Sequence, residues 1–299
     1  MVKLNKLSTN SPFIKYLIAL LLFGSNGIVA SFITLTSYEI VLLRTFIGSI
    51  FLLAIFFITG NRLTFFKHKK QFAFLAVSGV AMGTSWMFLY EAYHQIGVSI
   101  ASLLYYCGPV IVMALSPLVF KEKLTAVKII GFITVLGGIF LVNGNSFGSG
   151  GNGFGIFCGL MSAVMYSFMV IFNKKAKDIT GLENSALQLF ISFLTVAVFV
   201  GIKQGFAIAV PSNEWVPILI LGLVNTGTGC YFYFSSIGKL NVQTVAVCGY
   251  LEPLSAVVFS VIFLREAMLP MQIAGAILII GGAIFAELMG KNKTVVKQN

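Results

Sequence analysis

The sequence predicts an all-α membrane protein: ten transmembrane helices arranged as two inverted five-helix repeats, with both termini cytoplasmic. Three observations predict it. Apolar residues make up 58% of the 299 and charged residues 10%, with a mean hydropathy of +0.96. Ten apolar stretches follow one another, each near the ~20 residues a helix needs to cross ~30 Å of hydrocarbon. The two halves align at a constant shift of 144 residues. A soluble domain carries roughly 25% charged residues, so this chain lacks the surface to stay in water. Disorder needs the opposite composition, low hydrophobicity with high net charge.

The first stretch, 13–35, is longer than the roughly 7–15 apolar residues of a signal peptide and shows no small-residue cleavage site. It reads as a retained helix. The second, 37–59, carries Glu39 and Arg44, and the third, 70–92, carries a Gly79/Gly83 pair. The fourth, 98–120, and the ninth, 242–264, each hold a proline near the centre. The fifth, sixth, seventh, eighth and tenth fall at 125–142, 153–172, 183–202, 215–236 and 269–289. With the N-terminus inside, 17 of the 20 Lys and Arg residues lie in inner segments. The outer loops hold only Lys203 and Arg265, a bias that fixes orientation. The net charge of +11 is therefore a topology signal, not a nucleic-acid footprint. Cys107, Cys158, Cys230 and Cys248 all fall in apolar stretches without framework or metal spacing, and read as small buried hydrophobes.

At the 144-residue shift Glu39 falls on Glu183, Gly83 on Gly227, Tyr106 on Tyr250 and Pro109 on Pro253. Further on, Glu122 falls on Glu266, Gly131 on Gly275, and Gly137-Gly138 on Gly281-Gly282. Units with an odd number of helices must lie upside down relative to each other, the arrangement that lets a carrier expose a central site to each side in turn. The repeats are expected at 13–142 and 153–289, joined by a Gly-rich linker, 143–152. That linker matches a GxGxxG string but lacks the strand and helix of a dinucleotide fold.

Ten spans in two halves, Glu39-Ile-Val-Leu-Leu-Arg44, Phe120-Lys-Glu122, Leu251-Glu-Pro253 and Leu264-Arg-Glu266 together resemble the EamA-type drug/metabolite transporter family over about residues 13–289. The resemblance implies secondary transport of small organic solutes, often amino acids or other metabolites moved outward. Gln188 stands where the repeat would place a second Arg44, a departure that leaves the arginine unduplicated.

The candidate site follows from depth. Pro109 and Pro253 lack an N–H and are expected to break their helices, leaving the carbonyls of Tyr105 and Gly249 without intrahelical partners. Broken helices at matching positions of two halves point to a midplane site, with a pair of packing kinks as the competing reading. Glu252 lies about ten residues into its span, ~15 Å deep. A charged acid there costs roughly 2.5–3.5 kcal/mol or more, so it is expected to face the interior, as counter-ion to a substrate ammonium, as proton carrier or, the competing reading, as a protonated acid hydrogen-bonded between helices. Gly79, Gly83, Trp86 and Tyr90 share one helical face. Trp86 and Tyr90, with Tyr105, Tyr106, Tyr231 and Tyr250, offer an aromatic lining for a cation or an aromatic solute; helix packing is the competing reading for these rings. Asn26 and Asn225 fall near mid-depth, where an amide contacts substrate or bonds helix to helix. Arg44, Glu39 and Glu91 lie toward the outer end as an ion-pair gate or, equally, a structural clamp. Glu122 and Glu266 read as interfacial anchors. His68 and His94 lie on opposite sides of the membrane and share no metal.

The expectation is a secondary transporter of small organic solutes such as amino acids or amines, an exporter coupled to protons, with the bilayer and the solute as its partners. No cofactor, metal, nucleotide or nucleic acid is expected. An uptake carrier or facilitator for an organic cation or nutrient is the alternative. An intramembrane enzyme is a remote one, since Asp178 is the sole aspartate and no Ser–His pair shares a depth.

Overall fold

The computed structural model describes residues 12–120, 126–148, 152–206, 208–237 and 248–291. Among the described residues every regular element is helical. Six helices among the described residues are long and apolar enough to cross a membrane: Pro12–Ala30, Ser37–Ile58, Lys69–Ile96, Gly153–Lys175, Gly181–Lys203 and Ser212–Ser236. Four shorter apolar segments, Val98–Val112, Ile129–Gly138, Leu251–Leu264 and Pro270–Gly282, accompany them.

The first span is two helices, α1 (Pro12–Gly24) and α2 (Asn26–Ala30), with a kink at Ser25. Next comes α3 (Ser37–Ile58), whose start is fixed by a reciprocal cap. Thr36 accepts from the Glu39 amide, and the Glu39 carboxylate accepts from the Thr36 amide at 2.9 Å. Then come α4 (Lys69–Ile96), α5 (Val98–Tyr105), α6 (Gly108–Phe120) and α7 (Ala126–Gly148). The second half runs α8 (Gly153–Lys175), α9 (Gly181–Lys203), α10 (Trp215–Leu219), a π-helical stretch (Ile220–Thr228) and α11 (Gly229–Ile237). It closes with α12 (Leu251–Phe259), a second π-helical stretch (Ser260–Leu264) and α13 (Pro270–Lys291).

Two expectations change here. The fourth span breaks at Tyr106–Cys107, ahead of Pro109 rather than at it. Pro109 lies in the first turn of α6 and Pro253 in the first turn of α12. A missing N–H costs nothing there, because first-turn amides have no intrahelical partner anyway. The prolines start half-helices; they do not kink whole ones. The expected linker also shortens, since α7 continues helical to Gly148 and Asn152 already caps α8 by accepting from the Gly155 amide at 3.2 Å.

The corresponding helices α3 and α9 run in opposite directions. Gln204, just past α9, donates to Glu39 near the start of α3, while Glu183 near the start of α9 accepts from Thr64, past the end of α3. The pair α7 and α13 meets reciprocally: a Cβ on Gly138 would lie 2.7 Å from the Gly275 carbonyl oxygen, and one on Gly282 would lie 3.2 Å from that of Gly131. These are the same contact under the repeat shift. Close approach of small residues is how membrane helices gain dispersion energy without a hydrophobic drive. In the main core, Gly79 and Gly83 of α4 lie against Ile191 and Ser192 of α9.

Candidate functional site

α5 ends at Tyr105, and α12 has Glu252 in its first turn. Both side chains line one small central cavity of about 40 Å³. Phe23 and Asn26 line it from the two sides of the first-span kink, and Met82, Trp86 and Leu89 line it from α4. Tyr166 and Met169 come from α8, and Cys230, Tyr233 and Phe234 from α11. Sites for organic solutes run to roughly 300–1,000 Å³, so this chamber is nearly collapsed. Next to it lies a vestibule of about 990 Å³ at the end of the bundle carrying Lys174 and Lys177, with Met169, Tyr233 and Phe234 as shared walls. The structure is open toward that basic end.

A carboxyl and an amide belong to residues that line the chamber. Glu252 is the one acid among the described residues lining it. Asn26 is 6% exposed, and its Oδ1 has no hydrogen-bond partner. A buried polar atom left unsatisfied costs about 1–3 kcal/mol, which a donor-bearing solute relieves. Aromatic rings surround these acceptors: Tyr105 packs edge-on against Tyr166 at 5.1 Å between centroids, and Tyr233 lies 5.8 Å from Phe23.

Four of the sequence candidates, Glu252, Trp86, Tyr105 and Asn26, share this chamber. Tyr90 stands outside its lining and accepts a hydrogen bond from the Arg44 Nη1. Asn225 is bonded to the first-span kink instead, its Nδ2 donating to the Leu22 carbonyl at 2.8 Å and the Ser25 hydroxyl at 2.9 Å. Tyr250 is buried in a separate cluster with Leu103, Cys107 and Val110. Tyr231 lines the vestibule.

The outer ion-pair gate does not form in this structure. Arg44 is 1% exposed, donates from Nε to the Thr226 hydroxyl at 2.8 Å, and stacks 4.4 Å from the Trp86 ring centroid. Glu39 caps its own helix, and Glu91 accepts from Gln95 one turn on, at 2.8 Å. Among the described residues no carboxylate pairs with Arg44. Its partners are hydroxyls and π faces, the clamp alternative. Glu266 is more than an anchor, since it accepts three hydrogen bonds from Val98 and Ser99. Glu122 lies outside the described residues.

The sequence reading missed Met82, Leu89, Tyr166, Met169, Cys230, Tyr233, Phe234 and Phe23. The repeat held part of the signal. The 144-residue shift carries Trp86 onto Cys230 and Leu89 onto Tyr233, and all four line the chamber.

The EamA-like transporter family matches this chain over residues 11–144 and again over 153–288. The chain belongs to the EamA-like transporter family. Its relatives include the uncharacterized transporter YxxF of Bacillus subtilis, 24% identical over 296 residues, covering 96% of this chain and 93% of the relative. The uncharacterized transporter YetK of the same organism is 25% identical over 264 residues, covering 84% of this chain and 78% of YetK. A solved crystal structure shares the fold with a TM-score of 0.66 at 18% identity, covering 94% of this chain and 100% of that one. This EamA-like protein is accordingly a multi-pass transporter of the bacterial cell membrane, of the drug/metabolite type.

Proposed function

We propose that this EamA-like transporter is a proton-coupled exporter of a small organic amine or zwitterion, working by alternating access around the central chamber. The observation that carries the reading is the pairing of Glu252 with the unpartnered Asn26 Oδ1 inside a tyrosine-walled cavity. Two acceptors among aromatic faces suit an ammonium group, through charge-assisted hydrogen bonds and cation–π contact. The vestibule leading to the chamber from the basic end supports loading from the cytoplasm, on a topology of ten spans with both termini inside. The bias of Lys and Arg supports that topology.

A single acid serving both proton and substrate makes their binding exclusive, which is the logic of exchange. In proteoliposomes with an amine and amino-acid panel, trans-stimulated counterflow is expected, whereas unsaturable flux would indicate a pore. Glu252→Gln should reduce proton-driven flux about tenfold or more, the factor that accompanies 1.4 kcal/mol, and should remove its pH dependence. Parent-like, pH-sensitive flux in that variant would take Glu252 out of the mechanism.

A further inference from the structure

We propose that Glu266 is the latch of the outer gate: it holds α5 against the end of α12 while the vestibule is open, and must release for the chamber to face the other side. The inference rests on the alternating-access reading above.

The backbone delivers the latch. Arg265 is left-handed (φ 54), an uncommon conformation for a non-glycine residue, and it turns the chain at the end of the second π-helical stretch. Glu266 then reaches the start of α5, accepting from the Val98 amide at 2.9 Å, the Ser99 amide at 3.0 Å and the Ser99 hydroxyl at 2.6 Å. First-turn amides lack intrahelical partners and carry the positive end of the helix dipole, so a carboxylate is their natural acceptor. The Ser99 hydroxyl also contacts the Ser260 hydroxyl on the π-helical stretch.

The position gives these bonds their consequence. α5 and α12 are the half-helices that carry Tyr105 and Glu252 into the chamber, and Glu266 joins them at the ends away from it. The first span packs along both half-helices: a Cβ on Gly27 would lie 2.4 Å from a Val98 methyl at the latch end, and one on Gly24 would lie 2.9 Å from the Glu252 carbonyl oxygen at the level of the chamber. Opening the latch end separates α5 from α12 or from the first span, and the first of these breaks the Glu266 bonds. The α3–α9 pair behaves differently, being tied at one end through Glu39 and Gln204 and at the other through Glu183, Thr64 and Phe65. That pair is scaffold.

Directional labelling tests the latch. In a background with Cys107, Cys158 and Cys248 replaced by alanine and the buried, chamber-lining Cys230 kept, whose own labelling is the baseline, Ser102→Cys reports the α5 side of the latch and Ser235→Cys reports the vestibule. Adding Glu266→Gln should raise labelling of position 102 by an impermeant thiol reagent from the outer side roughly tenfold. It should also lower labelling of position 235 from the inner side. Unchanged labelling at both positions overturns the latch, and so does a rise at both, which is what mere structural loosening gives. Independently, a Ser99→Cys/Ser260→Cys cross-link should stop transport until reduced, with position 235 still reactive; transport through the cross-linked protein overturns the proposal. Labelling needs neither substrate nor Glu252, so its outcome stands apart from the Glu252→Gln flux test.

Discussion

Arg44 and Gln188 occupy the same position of the repeat and make the same contact with different chemistry. Arg44 bonds Thr226, and Gln188 donates to the Met82 sulfur at 3.5 Å; Thr226 and Met82 are themselves equivalent under the 144-residue shift. The contact is inherited from the repeat, while the charge belongs to one half only. A guanidinium with Nη2 unpartnered and the side chain 1% exposed is held by geometry: the Thr226 and Tyr90 hydroxyls and the Trp86 face each need its planar fork. Lysine cannot span these partners at once. Arg44→Lys is therefore expected to lose about 1.5–3 kcal/mol, the worth of one hydrogen bond to a charged group, seen as a lower unfolding temperature in detergent. A variant as stable as the parent would show that stacking alone holds the site. Arg44 lies in the first half of α3, and its partners depend on how α3 packs with α4 and on the π-helical stretch, which no local pattern reveals.

Helices in this protein are sorted by which glycine faces a neighbour. Of Gly137 and Gly138, a Cβ on the first meets nothing within 4 Å, whereas one on the second would press on Gly275 and Ile279. Gly281 and Gly282 repeat the distinction, with Gly282 against Thr134. Gly138→Ala and Gly282→Ala should each destabilise by about 1–3 kcal/mol through overpacking. Gly137→Ala and Gly281→Ala should be neutral or slightly stabilising, because alanine is the better helix former. Equal effects within each pair, measured by thermal unfolding, would contradict the reciprocal α7–α13 contact. At this scale six of the ten expected spans were legible from hydropathy, and the repeat marked the glycine positions without saying that they meet. The helix breaks were legible only approximately. Proline marks a discontinuity, yet its tolerance of a first turn moves the break upstream to Tyr106–Cys107. The π-helical stretch was invisible in a sequence that reads as ordinary helix; within it the Thr226 and Thr228 hydroxyls donate to the Leu221 and Leu223 carbonyls.

The two halves do not stand alike in this conformation, although one register relates them. A vestibule of about 990 Å³ opens at the end with Asn61, Lys174 and Lys177; toward the opposite end Glu266 bonds the start of α5, the Glu214 carboxylate accepts from the Thr34 hydroxyl at 2.6 Å, and the cavity Glu266 lines, about 690 Å³, lies between α12 and α13 and shares no lining residue with the chamber. Composition foretells the membrane, because it is a sum over the whole chain; the charge bias carries the orientation only as a proposal. The state is a small difference between two packings of the same contacts, and no sum over residues contains it. Orientation and state can be read together. In intact cells, Asn213→Cys, at the opposite end, should react with an impermeant thiol reagent, and Asn61→Cys should not; in inverted vesicles the pattern should reverse. Ser235→Cys, deeper in the vestibule, should follow Asn61→Cys, since both line the same opening. Reaction of Asn61→Cys from outside would turn the molecule over in the membrane and reverse the assignment of Glu266 to the outer gate. Reaction of Ser235→Cys on the side of Asn213→Cys would show that the resting carrier faces the other way.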